Sequence, residues 1–488
     1  MSRILLVSNR LPVTVTATNG QSVMTRSAGG LAGALRSIHE QEDSLWIGWP
    51  GGHPALPSQA RRQLSWQMAA MRVVPVPLSR PQVKGFYEDV SNGIIWPVAH
   101  CLLDNLPLEM QGWEHYRAAN ERFADTVAEQ YRDGDTIWVH DYHLMLLPML
   151  LRERLPNARI GYFHHIPFPP AEVFRLLPWR ADLLRGLLGA DLIGFHTADH
   201  SRNFRQAVEE IIGLPAERDE IRYLDRTIRA RAFPIGIDAE EWRRLACSPA
   251  AIDEAKRYEQ TDADARLLVG VDRLDYTKGI LRRLLAFERV LEQEPPEFRD
   301  RLRLVQVTVP SREGVRVYAA LKRRIDELVG RINGRFGTPH RMPVHRVHGH
   351  LQPHELAGLY RAANVFLATP LRDGMNLVAK EFVASQVADD GVLILSEFAG
   401  AAEQMSGALI VNPYDLDGMA LAIRRALRMP RGERQARMAA MQAQVATFNV
   451  QRWARTFLDT LATEPGSTDF WTLDDLDSRG LEDLAIPI

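Results

Sequence analysis

Thirteen consecutive residues, Thr369-Pro370-Leu371-Arg372-Asp373-Gly374-Met375-Asn376-Leu377-Val378-Ala379-Lys380-Glu381, carry the densest chemistry in this 488-residue chain. They follow an apolar strand pattern and lead into a helix pattern. Gly374 permits a tight turn and close backbone approach. The first amides of the helix, near Asn376 to Ala379, have no intrahelical acceptor and make an anion site by geometry and dipole. Glu381 stands about one turn in, where a carboxylate can accept two ribose hydroxyls. Asp373, on the loop, is placed to accept sugar hydroxyls. The competing reading is an ordinary capped junction with surface charges.

A second segment, Val271-Asp272-Arg273-Leu274-Asp275-Tyr276-Thr277-Lys278-Gly279, also follows a strand. A departing nucleoside diphosphate develops negative charge, which Arg273 and Lys278 would stabilise as fixed cations. At about 4 Å and an effective dielectric near 20, one such pair is worth roughly 4 kcal/mol before desolvation. A salt bridge of Arg273 with Asp272 or Asp275 is the alternative. Near the N-terminus, Ser27-Ala28-Gly29-Gly30-Leu31-Ala32-Gly33 lets a phosphate or sugar approach backbone amides. It is neither a dinucleotide fingerprint nor a P-loop, and a packing turn fits it equally well.

Two histidine-bearing loops follow strands: His140-Asp141-Tyr142-His143 and His164-His165-Ile166-Pro167-Phe168-Pro169. Zinc needs three or four ligands in defined geometry, and no HExxH is present, so recognition of sugar hydroxyls is preferred to a metal. Trp46, Trp49, Tyr87 and Trp96 are core residues or faces for pyranose rings. Arg10 and Arg312 are candidates for a separate phosphate, because arginine binds phosphate bidentately.

The elements that must position these groups form two alternating series. Strands are expected at Ile4–Val7, Thr136–Val139, Ile160–Phe163 and Leu192–Phe195, then at Leu267–Val271, Leu304–Thr308, Val365–Ala368, Val392–Leu395 and Leu409–Val411. A helix follows Gly279, with Ile280, Leu284, Phe287 and Leu291 on one face. Alternation of strands and helices predicts parallel sheets covered on both faces, with ligands at the carboxyl ends of the strands. Residues 239–265 are charged and weakly patterned. The expected division is a domain over 1–240, a second over 241–465, and an acidic tail over 466–488, with one or two closing helices in 430–463 that can pack back on the first domain.

Composition narrows the class. The net charge is −2 with 46% hydrophobic and 25% charged residues, which favours neither nucleic acid nor a membrane surface. The two cysteines, Cys101 and Cys247, exclude a disulfide framework. No apolar run suits a signal core or a membrane span, so a cytoplasmic location is expected.

Taken together, these segments resemble the α,α-trehalose-phosphate synthase family, from Ser8-Asn9-Arg10-Leu11-Pro12 to about residue 460. The likeness includes Trp46-Ile47-Gly48-Trp49, Ser91 to Pro97, the two histidine loops, Phe233 to Ile237, Arg273 to Gly279, Gly330 to Gly334 and Pro370 to Glu381. The resemblance implies an α/β fold of two Rossmann-like doubly wound domains facing a central cleft, the GT-B glycosyltransferase fold. It implies glucose transfer from UDP-glucose to glucose 6-phosphate, giving trehalose 6-phosphate and UDP with retained anomeric configuration.

By matching motif, Arg10, Tyr87, Asp141 and Arg312 correspond to acceptor residues, with both arginines on its phosphate. Gly29, Gly30, Arg273, Lys278 and Leu377, Val378, Ala379, Lys380 and Glu381 correspond to donor residues. His165 and Asp373 match positions holding the donor glucose, and Trp96 and Ile166 match positions selecting the acceptor anomer. Leu351 stands where the family often has phenylalanine near the base, which leaves the base open. No nucleophile is implied for Asp141 or Glu381; front-face displacement with electrostatic help is. No metal or cofactor is expected, and a separate trehalose-phosphate phosphatase is the expected pathway partner. The alternatives are a glucosylglycerol-phosphate synthase using glycerol 3-phosphate and a non-catalytic sugar-phosphate-binding paralogue. An oxidoreductase lacks its fingerprint here.

Overall fold

The computed structural model describes residues 3–18, 21–26, 30–51, 58–260, 265–311, 316–388 and 390–463. Gly29, Arg312 and the 466–488 tail therefore lie outside the described residues.

Two parallel sheets organise the chain. The first has nine strands in the order Val73–Pro75, Ser44–Trp49, Ile4–Arg10, Thr136–His140, Arg159–Phe163, Leu192–Phe195, Arg226–Ala232, Glu220–Tyr223 and Ala216–Glu217. The first seven run parallel, and the last two fold back antiparallel at the edge. The second sheet has six parallel strands: Val344–His348, Leu302–Val309, Arg266–Arg273, Val365–Ala368, Val392–Ser396 and Leu409–Val411. In both, the strand that enters the sheet first has its successors on one side and the later strands on the other. That is the 3-2-1-4-5-6 Rossmann order, whose reversal point opens a crevice at the carboxyl ends.

All nine anticipated strands form. Those the sequence hides are instructive. Val344–His348 carries two histidines and an arginine, and Arg226–Ala232 alternates arginine with small residues. Both lie at or near sheet edges, and their charged side chains break the continuous apolar run of a doubly covered strand, although Arg229 is buried and donates to the Thr463 carbonyl at 2.9 Å. Residues 239–265 contain two helices, Ala239–Ala246 and Pro249–Gln260, the first capped by Asp238 on the Glu241 amide at 2.8 Å.

Packing ties the sheets together. A buried apolar cluster runs from Leu6, Trp138 and Phe163 of the first sheet through Trp453 and Phe457 to Val445, Phe382 and Phe366 beside the second. The last described helix, Val450–Ala462, reaches the first sheet: Phe457 stacks on Trp138 with ring centroids 4.8 Å apart. The preceding helix, Arg431–Thr447, lies against Leu377–Ser385, where Gln442 donates to the Gln386 carbonyl at 2.7 Å. Among the described residues no helix is long and apolar enough to cross a membrane.

Candidate active site

The reversal point of the second sheet lies between Arg266–Arg273 and Val365–Ala368, so the Arg273–Gly279 and Thr369–Glu381 segments leave the sheet side by side. Asp275 Oδ1 accepts from the amide and hydroxyl of Thr277, both at 3.0 Å, and shapes the first loop. The Leu371 amide donates to the Thr277 carbonyl at 2.7 Å and joins the second loop to it. Beneath both lies Arg283, whose side chain is almost wholly buried. Its guanidinium pairs with Asp272 and donates to Gln306 at 3.0 Å, Thr369 Oγ1 at 3.1 Å and the Lys278 carbonyl at 3.4 Å. Sequence reasoning missed Arg283 because it occupies an otherwise apolar helix face. Its signal was an arginine one residue from the core position Leu284.

This scaffold sets Lys278 Nζ 2.6 Å from Asp373 Oδ2, which also accepts from Asn376 Nδ2 at 3.1 Å. Burial is the largest single effect on Asp373 and raises its pKa, but the charge and hydrogen bond of Lys278, together with Arg273 and other neighbours, outweigh it and the net shift is downward. Asp373 is therefore held as a carboxylate, fixed against Lys278 where the two loops meet. Asp272 pairs with Arg283 and Asp275 caps its own loop, so neither of the two carboxylates offered as alternatives holds Arg273. Its guanidinium lies over the Trp96 ring, 5.6 Å from the centroid.

Helix Leu377–Ser385 starts at Asn376, which has φ 83° and whose Oδ1 accepts from the Ala379 amide at 3.1 Å. The cap sharpens the anticipated anion site: with Ala379 occupied, Leu377 and Val378 carry the amides left for a ligand. The Lys380 side chain is buried, donating to the Ile235 carbonyl at 2.7 Å and Gln404 Oε1 at 2.6 Å. It fastens this helix to the chain leaving the first sheet. Leu351 is half-buried and packs against the apolar cluster that links the two sheets.

Glu381 accepts from Tyr360 Oη at 3.3 Å, and burial raises its pKa to about 7. The folded chain thus holds this proton up to about pH 7, while an unfolded carboxyl has released it from about pH 4.5. Between those values the native state binds more protons, so this group lowers stability as pH rises. Glu381→Gln removes that penalty. The melting-temperature difference, variant minus wild type, should be more positive at pH 8 than at pH 5; an unchanged difference would contradict the buried acid.

The first sheet reverses between Ile4–Arg10 and Thr136–His140, with Ser8 paired to His140. Arg10 emerges there, 4.7 Å above the Trp49 ring centroid, with Nη2 donating to Thr14 Oγ1 at 3.1 Å. Burial lowers its pKa, and the compensating charge interaction is with Tyr87 rather than a carboxylate. A half-buried cation in that state favours an anionic ligand. Tyr87 sits 6.0 Å from Trp49 and stacks on His143 at 5.7 Å. It is carried by a wide π-helical stretch, Val83–Ile95, in which Asn92 Nδ2 donates to the Tyr87 carbonyl at 2.6 Å. π-turns recur at functional sites, and this one presents Tyr87 and then Trp96. Trp46 does not join them: it is core, with Nε1 donating to Ser8 Oγ at 2.8 Å.

Asp141 has φ 77°, a conformation disfavoured for a non-glycine residue, and Oδ1 accepts from the amides of Tyr142 at 3.0 Å and His165 at 3.3 Å. Ile166 is buried beside this loop. The histidines around it are held neutral by burial: His140, His164, His196 and His200 are lowered to about 3, and His165 well below its ordinary value. Among the described residues no group of three or more histidine, cysteine or acidic side chains is arranged to hold a metal.

The two reversal points meet. A Cβ on Gly374 would lie 2.5 Å from the His165 carbonyl oxygen, and one on Gly30 would lie 2.8 Å from Leu377 Cδ1. The backbone carbonyl cannot yield, so only glycine fits at 374, while a side chain at 30 would have to displace the end of Leu377. Arg372 Nη1 also donates to Cys101 Sγ at 3.4 Å across the same boundary. One cleft therefore gathers Arg10, Tyr87, Trp96, Asp141 and His165 from one side, and Arg273, Lys278, Asp373, Leu377, Val378 and Glu381 from the other.

Comparison with known proteins agrees with this geometry. A bifunctional trehalose-6-phosphate synthase/phosphatase from Thermoproteus tenax is 43% identical over 94% of this chain and 63% of its own length. The chain thus spans less than two thirds of that relative, and 66% of the Dictyostelium discoideum α,α-trehalose-phosphate synthase [UDP-forming] A, at 38% identity. A trehalose-6-phosphate synthase from Mycolicibacterium vanbaalenii is 40% identical over 94% of this chain and 96% of its own. The crystal structure of a Burkholderia xenovorans α,α-trehalose-phosphate synthase in complex with glucose-6-phosphate superposes with TM-score 0.85, at 34% identity, covering 95% of this chain and all of that one. An E. coli structure bound with UDP-2-fluoro glucose gives 0.84, at 33% identity over 95% and 99% of the two chains. The fold is therefore the GT-B arrangement anticipated from the sequence. The model of glycosyltransferase family 20 matches residues 2–463, and the chain belongs to that family.

Proposed function

We propose that this chain transfers glucose from UDP-glucose to glucose 6-phosphate with retention, forming trehalose 6-phosphate and UDP. The observation that carries the reading is the meeting of two unlike anion sites in one cleft. Lys278 and the Leu377–Val378 amides serve a diphosphate, and Arg10 serves a second, separate phosphate. The relatives' names and the ligands of the two solved structures support the same assignment.

In this account the diphosphate lies at the start of helix Leu377–Ser385, with Lys278 and Arg273 as its cations and Glu381 on the ribose. Gly30 approaches from the opposite wall, Gly29 is assigned to the donor with it, and Leu351 borders the base. Asp373 and His165 hold the donor glucose; Asp141 and Tyr87 hold the acceptor sugar, while Arg10 and Arg312 hold its phosphate. Trp96 and Ile166 shape the acceptor pocket. Asp141 receives two backbone amides, which suits a fixed hydroxyl acceptor better than a nucleophile. The leaving phosphate oxygen then takes the acceptor proton on the same face, and the protein contributes positioning and charge stabilisation. Residues 1–240 and 241–465 act as the two walls. The chain works in the cytoplasm, with a separate phosphatase taking the product.

Arg10→Ala tests the division of labour. The acceptor KM should rise by roughly 10- to 100-fold, since a charge-assisted contact to phosphate is worth about 1.5–3 kcal/mol. The donor KM should move less than threefold. Equal losses for both substrates would move Arg10 out of the acceptor site.

A further inference from the structure

The histidine next to the sugar-facing His165 has no part in the account so far. His140 ends its strand at the reversal point of the first sheet and is completely buried. Its Nδ1 lies 3.0 Å from His165 Nε2. Both rings are kept neutral by burial, so one nitrogen of this contact carries the proton and the other accepts it.

The two arrangements are not equivalent. If His165 Nε2 donates, His140 Nδ1 is the bare nitrogen, and the His140 proton must sit on Nε2. That atom is buried and makes no hydrogen bond among the described residues. The ring lies instead among Trp138, at 4.6 Å between centroids, and Trp453, at 6.4 Å. A buried N–H left without an acceptor is costlier than a bare ring nitrogen facing apolar rings. If His140 Nδ1 donates, the only unsatisfied atom is that bare nitrogen, and His165 must carry its proton on Nδ1. This is the one polar ring atom of His165 not turned toward His140.

We propose that His140 is a positioning residue that locks His165 in its Nδ1–H tautomer, so that His165 meets a hydroxyl of the donor sugar as a hydrogen-bond donor. The surrounding packing holds the ring plane: Phe163 lies 4.6 Å from it, His196 5.3 Å and Trp453 5.9 Å. The backbone is pinned as well, with the His165 amide on Asp141 Oδ1 and its carbonyl against Gly374. Rotation and tautomer are thereby set by separate contacts. The contact with the sugar rests on the functional reading above; the tautomer does not.

The test is long-range proton–nitrogen correlation on the ligand-free protein labelled with nitrogen-15 histidine, with His165 assigned by its loss in His165→Gln. The expected pattern is a protonated Nδ1 and a bare Nε2 at His165. Asparagine places an amide N–H near the position of Nδ1, so His140→Asn should keep the pattern and His140→Leu should lose it. The donor KM should rise roughly 5- to 10-fold in His140→Leu and recover in His140→Asn. A protonated Nε2 at His165 in the unmutated protein overturns the proposal without any variant. So does a His140→Leu protein that folds and keeps the Nδ1–H pattern. The expected tautomer in a protein that turns over no donor would leave the proposal standing and sink the functional reading instead.

Discussion

Lys278→Ala should lower turnover by about 10²–10³-fold, the usual cost of deleting one preorganised group that stabilises developing charge. The reason is geometric. Lys278 is held at its carbonyl by Arg283 and at its ammonium by Asp373, at 2.6 Å, so it needs no reorganisation as the diphosphate departs. The same substitution removes the charge that keeps the Asp373 pKa low. With burial opposed only by Arg273 and other neighbours, Asp373 moves upward and takes a proton at higher pH than before. Residual activity of Lys278→Ala should therefore fall off with acidity at a higher pH than that of the native protein. Steady-state nucleotide release across pH 5–9 measures both effects. A loss below tenfold would mean that Arg273 and the helix amides carry the leaving group without Lys278.

Arg283→Met should have the largest effect on stability, about 3–5 kcal/mol, because it strands Asp272 as a buried carboxylate. Asp272 and Gln306 are both buried, and they share the guanidinium with Thr369 at the root of the second loop. Hydrogen exchange along Arg266–Arg273 offers a local readout beside urea unfolding, since the defect lies under that strand. The double change Arg283→Met with Asp272→Leu should recover much of the loss by removing the unpaired charge as well. A loss near zero for the single variant would mean that water or a shifted side chain satisfies Asp272. Activity should fall more than stability explains, because both donor loops hang from this one side chain.

The sequence shows the parts that obey simple local rules. Ile4–Val7 and Val365–Ala368 are continuous apolar runs because both sheet faces are covered. The loop after Val365–Ala368 carries Arg372, Asp373 and Gly374, and Arg10 follows Ile4–Val7, because that is where each sheet opens. Arg273, Lys278, Asp373 and Glu381 are legible for the same reason: each stands at a fixed short distance after such a strand. What is not legible depends on the third dimension. Nothing in the spacing of Arg10, Tyr87 and His143 says that a π-helical stretch brings them together. Lys380 stands beside Glu381 in the motif, yet its side chain turns onto the Ile235 carbonyl. Arg283 is hidden inside an apolar face, and its importance appears only when Asp272, Gln306 and Thr369 converge from three strands. That the closing helices return to the first domain is expected from the sequence; what only the fold shows is the stacking that holds Val450–Ala462 there, Phe457 on Trp138, 319 positions apart in the sequence.

The central claim is that one cleft holds a nucleotide-sugar and a phosphorylated sugar at once. It is tested most directly by mixing the purified protein with UDP-glucose and glucose 6-phosphate, then following UDP release and identifying the sugar product. The account predicts UDP release that requires glucose 6-phosphate, and an α,α-linked disaccharide phosphate as product. UDP release with glycerol 3-phosphate but not with glucose 6-phosphate, or no release with any nucleotide-glucose donor, would contradict it.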